Sequence, residues 1–193
     1  MNLCVYGAAS NEIDKKYIEA VEKLGEYMAK RGHSLVFGAG GNGLMGAAAR
    51  GVHRAGGKIY GVIPKFFREE KIEHIFDKCD ELIFTETMAE RKSKMEDLAD
   101  AFIIVPGGIG TFEEFFQVLT LKQLGRHVKP IAIYNIDGYY DSLESFLGVA
   151  FEDGFIRNDC RLLYSCSDTM EKVIEYVEND KQIRRDVHDL KNG

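Results

Sequence analysis

Proline is scarce in this chain, whereas glycine is abundant. The 193 residues include 3 Pro and 20 Gly, where average usage would give roughly 10 and roughly 14. A disordered or linker-rich protein would be rich in both residue types, so the composition excludes that class. Surplus glycine without proline instead predicts places where the backbone turns tightly or closely approaches another group.

Basic charge, long apolar runs and paired cysteines are also missing. The 25 Lys and Arg against 31 Asp and Glu give a net charge of −6, which argues against nucleic acid or an anionic membrane as a partner. No apolar run approaches the ~20 residues of a membrane span, and the first ten residues do not resemble a signal peptide. The cysteines form no C-x-x-C pair, which predicts free, buried thiols in a reducing cytoplasm: Cys4, Cys79, Cys160 and Cys166.

Short apolar runs of strand length alternate with longer amphipathic stretches. Strands are predicted over residues 3–7, 35–38, 59–63, 82–85, 102–105 and 131–134, and a last helix over 170–177 with Ser167 or Asp168 as N-cap. This alternation predicts an α/β fold with a doubly wound, mostly parallel, Rossmann-like sheet and helices on both faces. We expect one nucleotide-binding domain over residues 1–180 and a solvated C-terminal tail over 181–193.

Two glycine-rich loops follow predicted strands. Residues 41–46 of the first loop spell G-x-G-x-x-G, and residues 106–111 of the second precede a helix predicted over 112–124. Crowded backbone amides at a helix N-terminus suit a phosphate, and Thr111 is placed either to cap that helix or to donate to the phosphate. Close packing alone would explain Gly46 equally well. A nicotinamide dehydrogenase ranks low, because its fingerprint follows the first strand and carries an acid where this chain has Phe66.

An arginine is predicted on an apolar helix face. Met88, Arg91, Met95 and Leu98 share one side of a helix by their spacing. A buried guanidinium needs an anionic partner, and a bound ligand and a structural salt bridge are equally good explanations of Arg91.

Two carboxylates are predicted in the first turn of the helix after the second loop. Helix dipoles favour acids there, which is a sufficient structural reason for Glu113 and Glu114. A carboxylate beside a phosphate is unfavourable, however, so at least one of them should point toward another part of the ligand. At ~5 to 9 Å from an anomeric carbon, it could act as a general base or stabilise an oxocarbenium-like transition state.

Three motifs together resemble the LOG ("Lonely guy") family of cytokinin riboside 5′-monophosphate phosphoribohydrolases, often labelled lysine decarboxylases. They are Gly41-x-x-x-Met45-Gly46, Met88-x-x-Arg91-Lys92 and Pro106-Gly107-Gly108-x-Gly110-Thr111-x-x-Glu114. The resemblance implies hydrolysis of the N-glycosidic bond of an adenine-type nucleoside 5′-monophosphate, with Arg91 and Glu114 as the catalytic pair. It further implies a substrate-binding set of Gly41, Gly43, Met88, Lys92, Gly107, Gly108, Ile109, Gly110, Thr111, Glu113 and Thr120. A homodimer without a cofactor or metal is expected.

Some positions depart from that family's pattern. Ala89 and Leu121 replace a usual His and Trp, which leaves the base preference, cytokinin nucleotide or AMP, open. The acid that the family places after its third strand matches Glu69, Glu70 or Glu73. A decarboxylase would need pyridoxal phosphate and a Schiff-base lysine, whereas Lys92 beside Arg91 suits an anion. The alternative function is a non-catalytic carrier of a nucleotide or of molybdenum cofactor, which shares the fold and a similar glycine loop.

Overall fold

The computed structural model describes residues 1–70, 72, 74–183, 187 and 190. The strands are Asn2–Tyr6 (β1), Ser34–Phe37 (β2), Ile59–Pro64 (β3), Glu81–Thr85 (β4), Ala101–Ile104 (β5), Ile131–Tyr134 (β6) and Ser165–Ser167 (β7). The helices are Lys15–Lys30 (α1), Gly43–Arg54 (α2), Lys65–Glu69 (α3), Met88–Leu98 (α4), Ile109–Gln123 (α5), Asp141–Glu152 (α6) and Met170–Asn179 (α7). Within this described part, no helix is long and apolar enough to cross a membrane.

All seven strands form one parallel sheet in the order β4-β3-β2-β1-β5-β6-β7. The strand order reverses between β1 and β5, where Cys4 lies opposite both Val36 and Phe102. In doubly wound sheets, ligands bind beyond the carboxyl ends of the strands at this reversal. The predicted fold class is confirmed, and the reversal marks where to look for a site.

Apolar layers cover both faces of the sheet. On one face, α1, α2 and α7 contribute to a core that includes Leu24, Ala48 and Val173. On the other face, α4 and α5 contribute Met95 and Phe115 to a second core. Because strands covered on both sides need apolar residues at successive positions, their sequences lack a clean alternation.

Glycines bring α1 and α2 into close contact. A Cβ at Gly51 would lie 3.0 Å from the Glu22 carbonyl carbon, and one at Gly25 would lie 3.0 Å from the Val52 nitrogen. Such backbone approach leaves no space for a side chain at either position. Part of the glycine surplus is therefore structural and lies outside the two loops.

Several sequence-based boundaries were wrong. Strand β7 was missed, since Ser165–Ser167 carries no apolar run, and Thr169 rather than Ser167 or Asp168 is the N-cap of α7. The predicted solvated tail is contradicted at Leu190, which is buried against α6 and whose carbonyl accepts a hydrogen bond from Gln123. Most of residues 184–193 lie outside the described residues. All four cysteines are free, as predicted, but only Cys4 and Cys160 are buried, whereas Cys79 and Cys166 are half-buried.

Candidate active site

The first glycine loop is tied into the fold through its own amides. Gly41 N–H donates to the His74 carbonyl at 2.6 Å, and Gly43 N–H donates to Asn11 Oδ1 at 2.8 Å. At Gly43 the backbone φ is +56°, a conformation that favours glycine. A Cβ at Gly46 would overlap the carbonyl group of Gly41. This geometry supports the packing explanation of Gly46.

The second glycine loop presents the exposed N-terminus of a helix. Helix α5 begins at Ile109, and its N-cap Gly108 accepts the amide of Phe112 at 3.0 Å. The amides of the first turn precede that first bond, and such groups are available to an anion. Gly108, Ile109 and Gly110 are exposed to solvent.

Helix α5 starts three residues earlier than predicted, which changes the position of three candidate residues. Thr111 is the third residue of the helix rather than its cap, and it is buried against Gly107, where a Cβ would lie 2.6 Å from Thr111 Cβ. Glu113 and Glu114 stand in the second turn, not the first. The helix-dipole explanation for them is therefore weaker, since that effect is concentrated in the first turn.

Arg91 projects from α4 onto the sheet, as its spacing predicted. Its Nε donates to the Val62 carbonyl at 3.2 Å, and its Nη1 lies 3.6 Å from Glu114 Oε1. The two side chains are 7% and 14% exposed. Arg91 therefore has a salt-bridge partner, and that partner, Glu114, is also the candidate catalytic carboxylate. The salt-bridge and the ligand-binding explanations of Arg91 thus concern the same site.

Gly38 at the end of β2 makes room for this guanidinium. A Cβ at Gly38 would lie 2.8 Å from Arg91 Cζ and closer still to Nη2. The sequence analysis placed Gly38 at the end of the second predicted strand, just before the first glycine loop, and missed this contact. A glycine directly after a strand at the site edge was the available signal, but it does not reveal which side chain approaches it.

A second ion pair joins α4 and α5 beside the first. Lys92 Nζ lies 2.5 Å from Glu113 Oε1, so these two candidate residues are brought together. Farther along both helices, Gln117 donates to Glu96, and burial raises the pKa of the Glu96 carboxyl. Met88, the first residue of α4, is 38% exposed, so of the four residues predicted to share one side of the helix it is the one nearest solvent.

The floor beneath Arg91 and Glu114 is uncharged. Burial raises the pKa of the Cys4 thiol and of the Tyr6 phenol on β1, so both groups stay protonated at neutral pH. Buried, uncharged groups keep the local dielectric constant low, which strengthens the electrostatic interaction between Arg91 and Glu114.

Thr120 lies apart from this pair. It lines a cleft of about 710 Å³ between the C-terminal half of α5, α6 and residues 154–164, together with Phe116, Gln123 and Tyr164. Glu69 ends α3 and Glu70 follows it, both exposed, whereas Glu73 lies outside the described residues. Over the part of the chain described, no group of three or more His, Cys, Asp or Glu residues is placed to hold a metal ion.

The sequence of this chain is similar to a known protein family and to several known enzymes. A family model described as "possible lysine decarboxylase" matches residues 45–177. A cytokinin riboside 5′-monophosphate phosphoribohydrolase of Arabidopsis thaliana is 36% identical over 91% of this chain and 82% of the relative. The cytokinin riboside 5′-monophosphate phosphoribohydrolase LOG of Oryza sativa subsp. japonica is 38% identical over 91% of this chain and 72% of the relative.

Solved structures of the same fold include cofactor carriers. The molybdenum cofactor carrier protein of Chlamydomonas reinhardtii is similar with a TM-score of 0.69 and 22% identity, covering 92% of this chain and 95% of that chain. The molybdenum cofactor binding protein of Rippkaea orientalis is similar with a TM-score of 0.67 and 21% identity, covering 92% and 93%. At these identities the likeness concerns the fold.

Proposed function

Because the chain belongs to the family of LOG cytokinin riboside 5′-monophosphate phosphoribohydrolases, we propose that it hydrolyses the N-glycosidic bond of adenine-type nucleoside 5′-monophosphates. The products are the free base and ribose 5-phosphate. The observation that carries the proposal is the Arg91–Glu114 pair, 3.6 Å apart and nearly buried, beside an exposed helix N-terminus that suits the 5′-phosphate.

The reaction requires a water activated beside the anomeric carbon. In our proposal, the Glu114 carboxylate takes a proton from water as the water oxygen bonds to C1′. The C1′–N bond breaks and its electrons leave with the base, whose nitrogen takes up a proton from solvent; Glu114 then returns its proton to solvent, so that one water molecule is consumed in total. Arg91 orients Glu114, since its Nη1 lies 3.6 Å from Glu114 Oε1.

The second glycine loop is where we place the phosphate. The proposed contacts are the amides of Gly107, Gly108, Ile109, Gly110 and Thr111, with Lys92 close by on α4. Gly41 and Gly43 were also predicted to bind substrate, but their amides already donate to protein acceptors, so we assign no phosphate contact to these two N–H groups. Met88, Glu113 and Thr120 remain proposed substrate contacts on the strength of the family motif alone.

Lysine decarboxylation fits the site poorly. Lys92 is the candidate lysine beside Arg91, and its ammonium pairs with Glu113 at 2.5 Å. A Schiff-base lysine must be free to attack a carbonyl group, whereas the Lys92 side chain is engaged by the Glu113 carboxylate. The pairing favours anion binding as the role of Lys92.

A panel of nucleotides tests the proposal. Purified protein is incubated with AMP, isopentenyladenosine 5′-monophosphate and adenosine, and released base and ribose 5-phosphate are quantified. We expect release from one or both monophosphates, and little from adenosine, which lacks the phosphate. No base from either monophosphate would exclude the hydrolase, and a tightly bound pterin found with that result would favour the carrier.

We also propose a homodimer in the cytoplasm. Apolar side chains on α5 and α6 are exposed, among them Phe116, Phe146 and Val149, and patches of this kind mark protein interfaces. Free cysteines are typical of a reducing compartment. Light scattering at micromolar concentration that gave the 21.8 kDa monomer mass would contradict the dimer. Recovery in a membrane or extracellular fraction of host cells would contradict the location.

A further inference from the structure

Four consecutive carbonyls, that of residue 105 and the first three of the second glycine loop, accept hydrogen bonds from within the protein. For residues 105, 106, 107 and 108, the donors are the Tyr140 hydroxyl at 2.8 Å, the Ala8 amide at 3.1 Å, the Tyr139 hydroxyl at 2.6 Å and the Phe112 amide at 3.0 Å. A phosphate is repelled by carbonyl oxygens and attracted by amides. A loop that binds phosphate must therefore turn its carbonyls away, as this one does.

The peptide between Gly107 and Gly108 depends most on such a restraint. Glycines flank it on both sides, so its rotation meets little steric resistance. The Tyr139 hydroxyl holds the Gly107 carbonyl at 2.6 Å. In a planar trans peptide the N–H points opposite to the C=O, so the Gly108 amide points away from Tyr139.

Tyr139 is itself held in place by its own turn. Asp137 and Gly138 take φ values of +54° and +72°, which reverse the chain after β6. Asn135 Oδ1 then accepts the Tyr140 amide at 2.7 Å. The Tyr139 ring packs edge-on against Tyr17 and Tyr140, with centroids 6.0 and 4.9 Å away. These contacts within the protein therefore fix the direction of the Tyr139 hydroxyl without any ligand.

We infer that Tyr139 is a positioning residue for the proposed phosphate site: its hydroxyl fixes the Gly107–Gly108 peptide so that the Gly108 amide faces the 5′-phosphate. The inference rests on the proposed function for its substrate. Tyr139 acts through the loop and does not touch the reacting atoms. Tyr139 is 41% exposed, so loss of the hydroxyl should leave the fold largely unchanged.

The test compares Tyr139→Phe with Tyr27→Phe, a matched loss of a tyrosine hydroxyl on α1 near Arg31. For Tyr139→Phe we expect KM for AMP to rise roughly three- to tenfold, the range that loss of one neutral hydrogen bond supports. The turnover number, the affinity for free adenine and the thermal midpoint should match wild type. Ribose 5-phosphate should inhibit this variant more weakly than wild type, by a similar factor. Tyr27→Phe should change none of these quantities.

The outcomes separate this inference from the proposed function. If wild type releases base and Tyr139→Phe keeps the wild-type KM and ribose 5-phosphate inhibition, Tyr139 does not position the loop. Equal losses of adenine and ribose 5-phosphate affinity, or a lower thermal midpoint with a fallen turnover number, would assign Tyr139 a general structural role and overturn the inference. If wild type releases no base, the proposed function fails. Direct binding of ribose 5-phosphate to both proteins, measured by calorimetry, then still decides the role of Tyr139: equal affinity would contradict it.

Discussion

Arg91 Nη1 lies 3.6 Å from Glu114 Oε1, although the two side chains come from helices that follow strands at distant places in the sheet. Strand β4 is an edge strand, and three strands separate it from β5. Helix α4 packs back across β3, β2 and β1 to reach α5. The crossover therefore delivers Arg91 to the reversal of strand order, where ligands of this fold class bind.

Removing Arg91 should cost stability as well as activity. Arg91→Met leaves Glu114 without its cationic partner, and we expect the free energy of unfolding to fall by about 3 kcal/mol, as for other broken buried pairs. The double variant with Glu114→Gln should lose less than the sum of the two single losses. Urea denaturation of all four proteins measures this, and strictly additive losses would show that the two side chains do not interact.

A methyl group at Gly38 should disturb activity more than stability. The Cβ in Gly38→Ala would overlap the Arg91 guanidinium, which must shift but can stay close enough to Glu114 to keep much of their charge attraction. We expect base release to fall by at least about tenfold, since misplaced catalytic groups lose rate steeply. Enzyme assays and thermal melts together measure the two effects.

Gly148→Ala is the matched control for that variant. Gly148 lies inside α6, and a Cβ there would meet nothing within 4 Å. Alanine should stabilise the helix there by up to about 1 kcal/mol and leave turnover unchanged. Wild-type turnover in Gly38→Ala would show that the placement of Arg91 does not limit the reaction.

The free energy of unfolding should decrease at low pH, because His127 takes up a proton more readily in the unfolded chain. Burial lowers the pKa of His127 to about 4. The Lys129 amide donates to Nδ1, and Nε2 lies 2.8 Å from the Val118 carbonyl, so the neutral ring with its proton on Nε2 fits both partners. In the unfolded chain the pKa is about 6.5, so between these two values the unfolded state binds more protons.

The free energy of unfolding should therefore fall as the pH drops from about 6.5 to about 4, by about 1–2 kcal/mol after allowance for solvent screening. His127→Gln should show a smaller fall over the same range. Denaturation at pH 7 and pH 4.5 measures both slopes. An equal fall in the free energy of unfolding in the two proteins would show that His127 does not contribute to the loss of stability at low pH.

The sheet was predictable from sequence because its strands are short apolar runs. All six predicted strands are present, with ends that differ by at most one residue. Strand β7 was not predicted because Ser165–Ser167 contains no apolar run, and its strand conformation depends on pairing with β6. The start of α5 was missed because glycine has low helix propensity, so Ile109 and Gly110 did not appear helical.

The candidate site was only partly predictable. The inward direction of Arg91 followed from helical spacing, and the family predicted from the motifs is confirmed by the match over residues 45–177. The contacts of Gly38 and Tyr139 join residues distant in sequence, 53 and 32 positions from their partners. No local pattern encodes such contacts, because the sheet order and the loop geometry create them.

Turnover by Glu114→Gln, compared with Glu96→Gln, tests the central claim most directly. Both variants neutralise a carboxylate at the contact between α4 and α5, but Glu96 pairs with Gln117 away from Arg91. For Glu114→Gln we predict a loss of base release from AMP of about 10² to 10⁴-fold, the usual contribution of a general base, with AMP binding largely kept. Glu96→Gln should retain most of the wild-type rate, and full turnover by Glu114→Gln would contradict the account.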